Sequence, residues 1–231
     1  MDAIQLKPNT TYSEADLLNL IHGTSSSPTR AKWELFELQK AHKITRVGAK
    51  QYVTNGKFYM PNLSETAKRI DGFLSENYPR VDYVIYETYM LNEWANLLFG
   101  KNVILVDVDK AVKDYVFSFV RELLGKGHIV LLDPDFAMVS RYFDFEPVVV
   151  KPLFSRSPKN KEGHAIALEK LLVDIFADRL LANFNGTYNK EEIAQGIIYG
   201  YTLNKTKALA YAKRRKCERE IERAWEAAND W

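Results

Sequence analysis

The sequence predicts an α+β protein in which a small N-terminal domain of helices and a hairpin precedes a larger mixed α/β domain with a helical C-terminal half. Three patterns indicate this fold: two helical patterns and a hairpin pattern within the first 60 or so residues, strands alternating with helices in the middle, and helices thereafter. Of the 231 residues, 46% are hydrophobic, so both parts can bury a core. We place the domains at residues 1–63 and 64–231.

Two helix-start signals predict a pair of helices near the N-terminus. Ser13 and Asp16 have the spacing of a capping box, at the start of a helix over residues 12–21. Ser27 is a good cap, and Pro28 follows at the first helical position, where its missing N–H costs nothing. The second helix is expected to run to about residue 42.

A hairpin pattern follows the second helix. Apolar and polar residues partly alternate on each side of Gly48, a residue that can adopt the positive φ of a tight turn. Helix, turn, helix and hairpin is the element order of a winged helix-turn-helix. The sequence therefore predicts such a domain over residues 1–63.

Basic residues are concentrated near the two ends of the chain. Residues 1–63 contain eight Lys/Arg and five Asp/Glu, residues 64–202 contain sixteen and twenty, and residues 203–223 contain eight and three. Residues 30–57 hold seven Lys/Arg against two Glu. Basic ends around an acidic middle indicate two different tasks, and the N-terminal excess favours DNA binding.

The candidate DNA-binding residues lie at the start of the second helix and on the hairpin, or wing. Helix starts contact bases or phosphates, and basic wings contact the DNA backbone. A solvated helix face with an ordinary cap and a charged hairpin edge are the alternatives. The predicted residues are Ser26, Ser27, Thr29, Arg30, Lys32, Arg46, Lys50 and Gln51.

The larger domain shows strand patterns that alternate with helix patterns and then give way to helices. Ser64 is expected to cap a helix over residues 65–77, and Asp109 one over 110–124. Asn189 and Glu192 form a further capping signature. Predicted strands cover 81–87, 102–108, 128–132 and 147–153; the other predicted helices cover 88–99, 166–181, 193–198 and 203–228.

Two stretches resemble the AbiEi family of antitoxins, the partners of AbiEii-type nucleotidyltransferase toxins. Residues 35–54 contain Leu-x-x-Leu followed by basic-Ile-x-Arg-x-Gly-x-x-x-Tyr, which is similar to the end of that family's winged helix and its wing. Residues 167–175 read Ala-Leu-Glu-Lys-Leu-Leu-Val-Asp-Ile, which resembles the family's Glu-Lys-x-Leu-x-Asp helix.

The resemblance implies two activities. The N-terminal domain would bind double-stranded operator DNA at an inverted repeat in its own promoter and repress transcription. The C-terminal domain would counteract a cognate nucleotidyltransferase toxin, directly or indirectly. A partner or DNA surface is expected at Glu169, Lys170, Asp174, Lys213, Arg214, Arg215 and Lys216. The alternative is that these seven residues are solvated charges on structural helices.

Other function classes remain open from the sequence. One is a stand-alone winged-helix regulator whose C-terminal domain senses a ligand or dimerises. Another is a metal-dependent nuclease built on Glu87, Asp107, Asp109 and Lys110, although the acid-x-Lys step typical of such sites is missing. Scattered histidines and the lone Cys217 form no metal-ligand pattern, so we expect neither a cofactor nor an enzyme.

The expected location is the cytoplasm, without membrane contact. The start of the chain has no signal-peptide pattern, and no apolar run approaches the length of a membrane span. A single cysteine excludes an intrachain disulfide, which fits a reducing compartment.

Overall fold

The structure is a computed structural model that describes residues 6, 10–22, 27–40, 43–54, 59–95, 100–160, 163–184 and 189–229. Its fold is the predicted mixed α/β arrangement with a helical C-terminal half. Among these residues, no helix is both long and apolar enough to cross a membrane.

The N-terminal part is a strand, two helices and a hairpin. Its three strands form an antiparallel sheet in the order β1-β3-β2. A small core of Leu17, Ile21, Ala31, Leu35, Ile44 and Tyr52 joins the helices to the sheet. The elements are β1 (Thr11–Ser13), α1 (Glu14–His22), α2 (Pro28–Lys40), β2 (Ile44–Gly48) and β3 (Gln51–Thr54).

The predicted helix starts are confirmed. The amide of Asp16 donates to Ser13 Oγ at 3.0 Å, and the amide of Ser13 donates back to Asp16 Oδ2 at 3.3 Å, which is a reciprocal capping box. Ser27 Oγ accepts from the amide of Arg30 at 3.4 Å at the start of α2. The last described residue of α2 is Lys40, two residues before the predicted end.

The wing turn uses a different residue from the one predicted. Lys50, with φ 55°, takes the left-handed conformation, and Gly48 does not. Gly48 ends β2 at an irregularity in the register, where both Arg46–Tyr52 and Gly48–Gln51 are paired. The prediction that Gly48 supplies the positive φ is therefore wrong.

The larger part is built on a four-stranded sheet in the order β4-β5-β7-β6. Strands β5, β7 and β6 are parallel, and β4 is an antiparallel edge strand. The strands are β4 (Tyr83–Glu87), β5 (Ile104–Val108), β6 (Val130–Leu132) and β7 (Val148–Pro152); the helices are α3 (Glu65–Asn77), α4 (Lys113–Leu124), α5 (Phe136–Arg141), α6 (Leu168–Ala177), α7 (Arg179–Phe184), α8 (Lys190–Gly200), α9 (Lys205–Arg215) and α10 (Glu218–Asn229).

Both faces of this sheet are covered, which explains why its central strands are apolar runs. Alternate strand residues point to opposite faces. Tyr83 and Ile85 pack with α3 and α4 on one face, whereas Val84 and Tyr86 pack with the C-terminal helices on the other. The sheet is therefore the middle layer of three.

Two capping predictions in this part have different outcomes. Ser64 accepts from the amide of Ala67 at 3.2 Å, and α3 has the predicted bounds. Asp109 is not the cap of α4, which begins only at Lys113 after Val112. Asp109 instead accepts from the amide of Ala111 at 2.9 Å and closes a turn.

Three predicted helices are interrupted or reduced. The segment after β4 is a 3₁₀ helix over Thr88–Glu93, and residues 96–99 of the prediction lie outside the described residues. The helix predicted over 166–181 is divided at Asp178 into α6 and α7. The final helix is divided at Lys216, whose φ of 61° ends α9, and Ala210 is exposed rather than on an apolar line.

Candidate nucleic-acid interface and a buried ion-pair cluster

The start of α2 presents most of the predicted DNA-binding side chains to solvent. Thr29, Arg30 and Lys32 are exposed, while Ser27 is partly buried by its capping role. Arg30 Nε lies 3.2 Å from Glu34 Oε1, an exposed pair four residues apart. Such a pair contributes little to stability, so Arg30 can exchange this partner for a phosphate. Ser26 lies outside the described residues.

Opposite the core, α2 has a stripe that the sequence analysis missed. Ala31 and Leu35 are buried on one face of α2. The stripe on the opposite face consists of Thr29, Trp33, Phe36 and Lys40. Trp33 is 60% exposed and Phe36 59%. The helical period of the predicted core residues was the signal that would have identified this stripe.

The wing residues Arg46, Lys50 and Gln51 are also exposed. Arg46 Nε donates to the carbonyl of Gly48 at 3.2 Å, which holds the guanidinium beside the turn. We define the α2–wing surface as Thr29, Arg30, Lys32, Trp33, Phe36, Lys40, Arg46, Lys50 and Gln51. It combines five basic side chains with two aromatic ones.

A cleft of about 890 Å³ separates the wing strand β2 from the larger part. Arg46 and Gln39 line its N-terminal side, and Glu169, Asn204 and Lys207 line the other. Glu169 Oε1 accepts from the amide of Asn204 at 2.9 Å, so this carboxylate positions the start of α9.

The four basic residues at the end of α9 do not share one surface. Lys213, Arg214 and Lys216 are exposed, and Arg214 Nη2 donates to Ser155 Oγ at 2.6 Å. Arg215 is turned inward, with its guanidinium 4.7 Å from the centre of the Phe154 ring. The prediction of one continuous basic face over residues 213–216 is wrong for Arg215, because the buried carboxylate of Asp174 binds its guanidinium.

That carboxylate belongs to a buried ion-pair cluster, which we define as Asp107, Lys151, Lys170, Asp174, Asp178 and Arg215. Lys170 Nζ lies 2.6 Å from Asp107 Oδ2 and 2.5 Å from Asp174 Oδ2. Lys151 Nζ lies 2.8 Å from Asp107 Oδ1 and 2.7 Å from Asp178 Oδ2. Arg215 Nη1 completes the set at 3.1 Å from Asp174 Oδ1. The three carboxylates balance the three cations.

Tyrosine hydroxyls and backbone amides make additional hydrogen bonds to the carboxylates of the cluster. Tyr211 donates to Asp174 Oδ1 at 3.0 Å, and Tyr86 donates to Asp107 at 3.3 Å. Asp178 accepts from the amides of Leu180 and Leu181 at 3.0 and 3.2 Å, so it also caps α7. The cluster therefore ties β5 and β7 to α6, α7 and α9.

Neighbouring charged groups keep Lys170 and Asp178 ionised although both are buried. Burial alone would lower the pKa of Lys170, but the carboxylates of Asp107 and Asp174 raise that pKa well above its ordinary value. Burial alone would raise the pKa of Asp178, but Lys151 and the other donors lower it to about 2. Both groups are therefore charged at neutral pH.

For Lys170 and Asp174 the sequence offered two interpretations, a partner surface and solvated charges. The two residues form an ion pair with each other and both side chains are fully buried, so neither interpretation is correct for them. Charges within apolar runs, such as Asp107 in Ile-Leu-Val-Asp-Val and Lys151 in Val-Val-Val-Lys-Pro, were the signal for the rest of the cluster.

The four nuclease candidates are not brought together. Asp107 is bound by Lys151 and Lys170, and Lys110 is exposed. Glu87 lies elsewhere along the sheet, where it accepts from Asn102 Nδ2 at 2.5 Å and from the amide of Ser64 at 2.7 Å. No group of acidic, histidine or cysteine side chains in the described ranges could hold a metal ion.

Cys217 is buried between the end of α9 and the start of α10, and burial raises the pKa of its thiol to about 11. It is therefore a neutral core residue at physiological pH rather than a nucleophile.

Comparison with known proteins identifies the family of the chain. Residues 30–230 match the model of the Family of unknown function (DUF6577). No curated protein and no solved structure matches the chain significantly. The match begins within α2 and extends through both the wing and the larger part. The chain therefore belongs to the DUF6577 family.

Proposed function

We propose that this protein is a DNA-binding autoregulator and antitoxin of the AbiEi kind. Its N-terminal part would bind operator DNA as a winged helix-turn-helix, and its larger part would counteract a nucleotidyltransferase toxin. The observation that carries the DNA-binding half is the topology β1-α1-α2-β2-β3 with the sheet order β1-β3-β2.

That topology supports the proposal because winged helices pair their first strand with the last strand of the wing. The second helix of the pair, here α2, then enters the major groove while the hairpin lies along the backbone. Both segments carry exposed cations in this chain: Arg30 and Lys32 on α2, and Arg46 and Lys50 on the wing. Each phosphate contact releases counterions, which makes such binding salt-dependent.

The antitoxin half is supported by the resemblance in the sequence. Within the resembling helix, Lys170 and Asp174 form buried ion pairs, so they stabilise the larger part rather than contact a partner. A toxin-facing surface is therefore better sought at exposed positions. Lys213, Arg214 and Lys216 at the end of α9 are such positions.

A stand-alone regulator that senses a ligand is the second candidate. The cleft of about 890 Å³ between β2 and α9 favours it, because a ligand bound there would contact both the wing and the larger part. The neighbouring gene separates the two candidates: the antitoxin proposal expects one that encodes a nucleotidyltransferase.

The decisive experiment measures binding to the DNA upstream of the protein's own gene, with random-sequence competitor at about 0.15 M salt. We expect selective binding that weakens in Arg30→Ala and Arg46→Ala. Lys126→Ala is the matched control, because it removes an exposed cation outside the α2–wing surface. Equal affinity for upstream and random DNA would contradict operator binding.

The antitoxin half has its own test. The neighbouring nucleotidyltransferase would be expressed in cells with and without this protein, and growth compared. We expect restored growth with the wild type, and weaker restoration when Lys213, Arg214 and Lys216 are replaced together by alanine. Unchanged toxicity in the presence of the wild-type protein would refute neutralisation.

A further inference from the structure

The stripe on α2 contains two aromatic side chains that have no role in the core. Trp33 and Phe36 are more than half exposed, whereas the buried face of the same helix already supplies Ala31 and Leu35 to the core. Burying aromatic surface is strongly favourable, so a surface that leaves two such side chains in water is typical of a binding site.

The charges around the stripe indicate what kind of partner it contacts. Thr29 and Lys40 lie on the stripe itself, and Lys32 and Arg30 flank it on opposite sides. The carboxylate of Glu34 lies towards the core side and pairs with Arg30, whereas Glu37 lies between the stripe and Arg30. The three cations on and beside the stripe outnumber the carboxylate of Glu37, so this face as a whole complements a surface with an apolar floor between two rows of phosphates.

The major groove of DNA has such a surface only where thymine is present. Its base edges are hydrogen-bonding groups except for the C5-methyl group of thymine, which accepts apolar contacts. Trp33 and Phe36 carry no acidic group and only one donor, the indole N–H, so they favour contact with methyl groups over hydrogen-bond reading.

We infer that Trp33 and Phe36 contact thymine methyl groups in the major groove. They would thereby select operator sites that are rich in A·T pairs where α2 enters the groove. This inference rests on the proposed function and deepens it by naming the bases that α2 reads. Arg30, Lys32 and Lys40 then contact the flanking phosphates.

The test compares two forms of the DNA upstream of the gene, one with thymine and one in which uracil replaces thymine throughout. The two forms differ in the C5-methyl groups and keep the same hydrogen-bonding edges. We expect the wild type to bind the uracil form more weakly by about fourfold for each buried methyl group lost. The double variant Trp33→Ala/Phe36→Ala is expected to bind both forms with the same reduced affinity, and Trp33→Ala alone is expected to keep only the part of the difference that Phe36 supplies.

Tyr115→Ala is the matched control, because it removes an aromatic side chain that is 67% exposed on α4, outside the α2–wing surface. Thermal unfolding of each variant shows that the fold is retained. The control is expected to keep the full difference in affinity between the thymine and uracil forms. Trp33→Phe is expected to keep part of that difference.

The outcomes distinguish the two levels of the proposal. Selective DNA binding with equal affinity for the thymine and uracil forms would overturn the inference and leave operator binding intact. A Trp33→Ala/Phe36→Ala variant that still discriminates the two forms would overturn the assignment to this stripe, and a change in its sedimentation coefficient would indicate instead an interface between two copies. Absence of selective binding by the wild type would overturn both.

Discussion

The α2–wing surface and the buried ion-pair cluster both contain lysine and arginine, but the environments of these cations differ. In the cluster, every cation lies within 3.1 Å of a carboxylate, and the charges stabilise contacts between strands and helices. On the α2–wing surface, Lys32 and Lys50 are exposed and Arg30 has only an exposed partner. Burial and pairing, rather than the type of cation, therefore separate the charges of the cluster from those on the α2–wing surface.

The largest effect is expected from breaking the cluster at its centre. Lys170→Met leaves Asp107 and Asp174 without their shared cation in the core, and removing one member of a buried pair costs about 3–5 kcal/mol. Denaturant unfolding would measure this loss. Lys213→Met makes the same chemical change at an exposed position of α9 and is expected to leave the unfolding free energy unchanged. Equal stability of the two variants would show that the cluster is not structural.

A smaller, pH-dependent effect is expected at Asp178. Its pKa is about 2 in the folded protein against 3.8 ordinarily, so its stabilisation is complete above pH 4 and is lost as the pH falls towards 2. The depressed pKa corresponds to about 2–3 kcal/mol. Asp178→Asn should therefore be less stable than the wild type at pH 6.

The comparison of interest is the stability difference between the wild type and Asp178→Asn across pH. Asparagine can still accept from the amides of Leu180 and Leu181, so the cap of α7 is retained while the ion pair with Lys151 is removed. We expect the difference to shrink as the pH falls from 4 to 2. A difference that stays constant over this range would argue against a charged Asp178 in the fold.

The smallest effect is expected on the wing. Lys50→Gly removes a cation at a position where φ is 55°, a conformation that glycine adopts without strain. We expect unchanged or slightly higher stability, affinity for DNA lowered several-fold, and a salt dependence shallower by about one unit of slope. Titrations at several salt concentrations measure both quantities. An unchanged slope would place Lys50 away from the phosphates.

Much of the fold follows from signals within a few residues. The capping boxes and caps at Ser13, Ser27, Ser64 and Asn189 are confirmed because cap and amide are two or three residues apart. Each strand of the sheet begins one or two residues later than predicted, whereas three of the four end at the predicted residue.

Less of the candidate site could be predicted. Arg30, Lys32, Arg46 and Lys50 are exposed, as the DNA-binding prediction requires, but Arg215 is not. Sequence reasoning assigned Arg215 to a basic face with its three neighbours, because nothing adjacent in the chain reveals a carboxylate that reaches it from α6. The candidate residues predicted from the sequence also did not include Trp33 and Phe36.

The sequence by itself determined most of the order of helices and strands, the caps at Ser13, Ser27, Ser64 and Asn189, and the basic character of the N-terminal part, because period and capping depend on nearby residues. The tertiary structure alone decided which charges are buried. Lys170 and Asp107 are 63 positions apart in the chain, yet their side chains lie 2.6 Å apart. Such a pair forms only when the sheet and α6 pack together, because desolvated charges require partners that local sequence does not specify.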